Sequence, residues 1–147
     1  MPAIDYSSVE DALKSLFDAD SAINTLAVTE VEKRGDNTKN NLKGHIGIFI
    51  DRVDPLPGQP FAAGKTTNVD MVFKLVIKST RMGSMDKTVR QRNAILQAVM
   101  SNLMTNRTIS NNAFVGYLGP CEMGLEESEG FTAIAVQDFT AQAKITI

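Results

Sequence analysis

A run of alternating apolar residues constrains the fold of this chain more than any other feature. Between Asn68 and Ser79, every second position is apolar: Val69, Met71, Phe73, Leu75 and Ile77. Successive side chains of a strand point to opposite faces of a sheet, so this period of two predicts a long strand with one face in a core. Phe139 to Ile147 repeats the pattern. The sequence therefore predicts a sheet with at least two long strands.

Further strands are predicted on either side of this pair. Gly119-Pro120 should break the strand that begins at Phe114, and a bend or bulge at Gln137 or Asp138 should join the last segment to the terminal strand. We expect the first two strands to pair, with the polar segment between them as a loop or hairpin tip. The predicted segments are Leu26 to Lys33, His45 to Val53, Phe114 to Leu118 and Phe131 to Val136.

Two amphipathic helices complete the predicted elements. Ser7-Ser8-Val9-Glu10 has the spacing of a capping box, which predicts a helix over about residues 8 to 22. Asp86 is a candidate cap for a second helix, which should end near Asn106. The element order is thus helix, three strands, helix, and two or three strands. It predicts an α+β fold, with a mostly antiparallel sheet of about five strands and two main helices packed on it.

Composition limits the organisation and the compartment. The chain has 147 residues, of which 43% are hydrophobic. We therefore expect residues 1–147 to form one domain that buries its core without disulfides or metals. Cys121 is the single cysteine, so an intramolecular disulfide is impossible and a reducing cytoplasm is expected. The sequence contains neither a signal-peptide pattern nor an apolar stretch long enough to span a bilayer, so we expect no membrane association.

The motifs that suggest chemistry have simpler explanations. Lys65-Thr66 resembles the end of a phosphate-binding loop, but the preceding glycines have the wrong spacing and a strand, not a helix, follows. His45 is the only histidine and lacks the neighbours of a catalytic or metal-binding constellation. Cys121 precedes Glu122, whose charge would raise the pKa of the thiol and weaken it as a nucleophile. We predict no enzyme activity and no catalytic, cofactor-binding or metal-binding residues.

Charge is balanced overall but uneven locally. A formal net charge of -2 gives the whole chain no attraction to nucleic acid or anionic lipid. Solvated faces are one explanation of the two local patches, and salt bridges between subunits are the other, because complementary patches set the register of an interface. The basic patch contains Arg81, Lys87, Arg90 and Arg92, and the acidic patch contains Glu122, Glu126, Glu127 and Glu129.

The order of elements resembles that of a known family. The relevant segments are the helix opening with Val9-Glu10-Asp11-Ala12-Leu13, a hairpin, a Pro/Gly-rich loop before an alternating strand, the helix containing Arg92-Asn93-Ala94-Ile95-Leu96, and the terminal strand from Phe139 to Ile147. Together they resemble the tail terminator proteins of long-tailed bacteriophages. The resemblance implies a virion protein that assembles in the host cytoplasm as a homo-oligomeric, hexameric ring at the neck end of the tail. Such a ring ends tube growth and joins the head-tail connector.

The resemblance gives the exposed segments possible roles. Contacts to the tail tube protein or to the connector or neck protein are expected from two loops, at Lys33, Arg34, Lys39, Lys43, Phe61 and Lys65. The acidic segment from Glu122 to Glu129 would face the lumen, where its negative charge would let DNA pass without sticking. A different phage neck or tail-tube component is the main alternative. A small binding or enzyme subunit is a further one.

Overall fold

The computed structural model describes residues 6–31, 44–55, 66–80, 84–110, 113–127 and 131–146, apart from some side chains at strand ends. The predicted α+β class is confirmed. Within these ranges, the helices are α1 (Tyr6–Asp18), α2 (Ser21–Leu26) and α3 (Met85–Thr105). The strands are β1 (Ala27–Val31), β2 (Gly44–Pro55), β3 (Thr66–Thr80), β4 (Thr108–Ser110), β5 (Ala113–Glu127) and β6 (Phe131–Thr146).

One sheet contains all of these strands in the order β1-β2-β3-β6-β5-β4. The prediction of a mostly antiparallel sheet of about five strands is confirmed, with the three-residue β4 as an additional short strand. The first two strands pair as expected, but the hairpin alternative is wrong, because β1 runs parallel to β2. A parallel pair needs a connection of roughly a dozen residues, and residues 32–43 provide that length.

β5 is much longer than predicted. The strand continues through Gly119-Pro120 to Glu127 because two residues of β5 there oppose Asp138 of β6, which forms a bulge. Proline is tolerated at a bulge, where the ladder is interrupted in any case. A Cβ at Gly119 would lie 3.1 Å from Asp138 Cβ, so glycine also permits the close approach of the two strands. The irregularity was expected in β6, at Gln137 or Asp138. It lies instead in β5, at the two residues opposite Asp138, and β6 is continuous.

The first predicted helix is two helices. α1 ends at Asp18, and Asp20 adopts extended backbone angles and caps α2, with its Oδ1 accepting a hydrogen bond of 2.9 Å from the Ala22 amide. α3 ends at Thr105 with Asn106 as its C-cap, close to the predicted end, but its N-cap is Ser84 rather than Asp86. Ser84 Oγ accepts from the Lys87 amide at 3.2 Å, and Asp86 lies in the first helical turn.

The core lies between one face of the sheet and the helices. Phe73 of β3 and Phe139 of β6 stack at its centre, with ring centroids 5.0 Å apart and an interplanar angle of 10°. α3 contributes Ile95, Val99 and Leu103 from one side, all fully or almost fully buried. The core-facing positions of β6 around Phe139 are mostly alanine, which leaves room for α3 above the sheet: Ala133, Ala135, Ala141 and Ala143.

Candidate functional site

The open edge of β5 is the most distinctive surface of the described structure. β4 pairs only with the first two residues of β5, at Ala113 and Phe114. Beyond them, β5 pairs with β6 on one side and with no described strand on the other. From Cys121 to Glu127 the ladder with β6 contains no bulge. We call this segment, Cys121–Glu127, the open half of β5.

The open half of β5 presents two apolar side chains on the helix face of the sheet. Met123 is 56% exposed and Leu125 is 37% exposed, both on the face of the sheet that carries the helices. Glu122 is exposed on the opposite face, next to Gly124. Natural proteins usually protect an edge strand with lysine, proline or a bulge, because its unpaired backbone groups can accept another strand. Here the bulges and Pro120 lie in the first half of β5, and the open half has no lysine, proline or bulge, although Glu122, Glu126 and Glu127 give it negative charge.

Arg92 links the open half of β5 to α3. Its side chain is only 8% exposed, and its Nη1 donates to the Gly124 carbonyl oxygen at 3.2 Å. Nε and Nη2 donate to Asn93 Oδ1 at 3.1 and 3.0 Å. Arg92 was predicted as part of a basic surface patch, but the structure places it beneath the surface, between α3 and β5. Its described contacts hold the edge strand in place.

Cys121 lies at the start of the open half and is partly buried. Burial raises the pKa of its thiol, and the nearby charge of Arg92 acts in the opposite direction. The sequence-based argument expected a raised pKa but assigned it to Glu122, whereas the structural cause is burial. A thiol with a raised pKa is a poor nucleophile at neutral pH.

Lys87 and Arg90 of the predicted basic patch lie in the first turns of α3. Arg90 Nε contacts both carboxylate oxygens of Asp86, at 3.1 and 2.9 Å, and both side chains are more than 70% exposed. Lys87 is exposed. Glu122 projects from the face of the sheet opposite the helices, so it lies on a different face of the subunit from Lys87 and Arg90. Glu122 can therefore meet these two residues only between subunits.

Several predicted contact residues lie outside the described residues: Lys33, Arg34, Lys39, Lys43, Phe61, Lys65, Arg81 and Glu129. Glu126 and Glu127 belong to β5, but only their backbone is described. The predicted roles of these residues stay predictions. The Gly58 to Lys65 segment, which resembles a phosphate-binding loop, also lies outside the described ranges, although β3 follows it directly.

The outer face of the sheet carries ion pairs that the sequence analysis did not identify. Lys74 Nζ lies 3.0 Å from Asp138 Oδ1, between neighbouring strands, and this hydrogen bond raises the pKa of Lys74 while burial opposes the rise. Arg52 Nε lies 2.9 Å from Asp54 Oδ2 on β2. The only sequence signal was the polar set that alternates with the core residues, and the strand register was needed to reveal the Lys74–Asp138 pair.

The described residues contain no group of three or more His, Cys, Asp or Glu side chains that could hold a metal ion. His45 Nε2 lies 3.6 Å from Glu30 Oε2 across β1 and β2, so the imidazole is beside a carboxylate. A shallow depression at the α1–α2 corner is lined by Ala19, Ser21, Asn24 and Thr25, none of which titrates near neutral pH. None of the described helices is both long and apolar enough to cross a membrane.

Comparison with known proteins gives a match in structure alone. No family model matches the sequence, and no curated protein does. Among solved structures, the chain matches the sheath/tube terminator of PVC, an extracellular contractile injection system, in its extended state, with a TM-score of 0.59. This chain has a tail-terminator-like fold. The match covers 100% of this chain and 58% of that neighbour, at 9% sequence identity, so the chain spans less than two thirds of the neighbour's length.

Proposed function

We propose that this protein is a structural tail component that caps a tail tube as a ring, ends tube polymerisation and forms the joining surface to the head-tail connector. The observation that carries the proposal is the fold shared along the whole chain with a sheath/tube terminator. The open half of β5 supports it independently, because an assembly protein needs a surface that is completed only by another subunit. The partners would be further copies of the chain, a tail tube protein and a connector or neck protein.

The finer features of the proposal follow the predicted family. The ring would be a hexamer at the neck end of a bacteriophage tail, assembled in the host cytoplasm. Glu122 and the acidic residues that follow it would line or approach the lumen, where negative charge repels the DNA backbone and keeps a passing strand from binding. Lys33, Arg34, Lys39, Lys43, Phe61 and Lys65 would contact the tube or the connector.

The test is to measure the mass of the purified protein by light scattering, alone and with its cognate tail tubes, and then to image the tube ends by negative stain. Rings or monomers that bind only at tube ends are the expected result. Open-ended polymers would instead show a tube protein, because only a tube subunit has stacking surfaces that match on both faces of its ring. A monomer that ignores the tubes would contradict both functions.

A further inference from the structure

We propose that the open half of β5 in one copy pairs with β1 of the next copy, antiparallel, so that one sheet continues from subunit to subunit around the ring. The inference rests on the proposed function only in taking the assembly to be a ring of identical chains. It names the two edges that meet. β1 ends the order of described strands on one side, and the open half of β5 lies on the other side, beyond the reach of the short β4.

The two edges lie at the same level of the sheet. Two rows of paired residues cross the sheet from β1 to the open half of β5. One row is Val28, His45, Lys78, Ile134 and Gly124, and another is Val31, Ile48, Leu75, Gln137 and Cys121. Pairing in direct continuation of these rows would join neighbouring subunits without displacement along the strand direction, and a shift of two residues would displace them by about 7 Å.

Strand direction also fits the pairing. β1 is parallel to β2, and three antiparallel pairings separate β2 from β5, so β5 runs opposite to β1. A copy placed beside the first without being turned over presents β1 antiparallel to β5. The contact is head-to-tail, using two different edges of the same subunit, and each added copy exposes a new open edge until the ring closes.

The side chains select one register among the possible ones. Direct continuation of the rows would place Glu30 opposite Glu122, and like charges directly opposite each other destabilise a strand pair. A shift of two residues keeps each side chain on its own face and places Glu30 opposite Gly124. A Cβ at Gly124 would have no atom within 4 Å, so this position can accept a neighbouring side chain. The same shift places Val31 opposite the exposed Met123, which gives an apolar pair on the helix side.

Single-cysteine chains test the pairing directly, in a Cys121→Ser background that removes the native thiol. One chain carries Gly124→Cys and the other carries Glu30→Cys, and the two are mixed under mild oxidation. Cross-strand neighbours have Cα atoms about 4.5–5.5 Å apart, within the range that a disulfide requires. We expect a mixed disulfide dimer and little of either homodimer. Val28→Cys in place of Glu30→Cys should react less, because the expected register places it two residues away from Gly124.

Asp86→Cys replaces Glu30→Cys in the control, because Asp86 lies on α3 and its side chain is 74% exposed, compared with 24% for Glu30. Equal reaction of Gly124→Cys with Asp86→Cys, dominance of the Gly124→Cys homodimer, or no mixed dimer would overturn the proposed pairing. Tube-end imaging of the Cys121→Ser background separates the two proposals. Rings at tube ends without the mixed dimer would leave the terminator function standing and reject this interface. The mixed dimer without tube-end binding would support the interface and reject the terminator function.

Discussion

Arg92 shows at the scale of single residues how a charged side chain can serve structure rather than a surface patch. Its closeness in the sequence to Lys87 and Arg90 suggested one shared patch, but helical spacing places Arg92 on the buried stripe of α3 with Ile95 and Val99. Lys87 and Arg90 point to solvent, whereas Arg92 lies under the edge strand and donates to the Gly124 carbonyl oxygen.

Replacing Arg92 by methionine should therefore loosen the open half of β5 without disturbing the core. Methionine keeps most of the aliphatic length and removes the hydrogen bonds, so we expect a loss of about 1–2 kcal/mol in the free energy of unfolding. Amide exchange should accelerate in peptides that cover Cys121–Glu127 and stay unchanged in β3. Urea denaturation and exchange mass spectrometry measure the two effects. Arg90→Met is the control, because Arg90 is exposed, and equal effects of the two substitutions would contradict this role for Arg92.

At the scale of elements, Asp20 explains why the segment predicted as one helix forms two. Its Oδ1 caps α2, and its Oδ2 accepts a hydrogen bond of 3.0 Å from Asn102 Nδ2 on α3. Asn102 is buried and its Nδ2 also lies 3.4 Å from the Leu16 carbonyl oxygen, so one amide holds the corner between α1 and α2 against α3.

Asp20→Ala should therefore destabilise the protein more than the removal of an ordinary cap. Loss of a cap costs roughly 0.5–2 kcal/mol, and the buried Asn102 also loses a partner, so we expect the upper part of that range. Thermal or urea unfolding measures the change. Asp18→Ala is the matched control: it removes an acid two residues away whose side-chain partner is the exposed Lys14. If Asp20→Ala lowers the free energy of unfolding no more than Asp18→Ala does, the corner between α1 and α2 does not depend on the contact between Asp20 and Asn102.

The elements also show how far the sequence could predict the fold. Strands with strict alternation, such as β3, were predicted almost to their ends, because burial of one face imposes the period. The direction of β1 could not be predicted, because periodicity carries no information on parallel or antiparallel pairing. The predicted β5 was too short, because Gly119-Pro120 normally breaks a strand. Only the pairing with β6 shows that a bulge opposite Asp138 accommodates these two residues. Neither the alternation of apolar residues nor the turn residues predicted the open edge of β5, because this edge exists only since β4 is short.

At the scale of the whole molecule, the uneven charge distribution bears on assembly. Lys87 has no ion-pair partner within the described ranges, whereas Arg90 is paired with Asp86 on its own helix. The acidic Glu122 lies on the opposite face of the subunit. An attraction between these groups can therefore act only across a subunit boundary, and Lys87 should contribute more to it than Arg90.

Replacing Lys87 and Arg90 together by glutamate should weaken ring formation in a salt-dependent way. Exposed ion pairs contribute roughly 0.2–1 kcal/mol each, so loss of each pair should lower the oligomerisation constant per interface by up to about fivefold, and repulsion by the new glutamates should lower it further. The difference from wild type should narrow as added salt shortens the screening length to a few ångströms. Light scattering across a salt series measures this. Lys87→Glu and Lys14→Glu form a matched pair of single substitutions, because each reverses one lysine on a helix surface. If both weaken assembly equally, net charge rather than the α3 patch is responsible, and if neither does, the patch has no part in the interface.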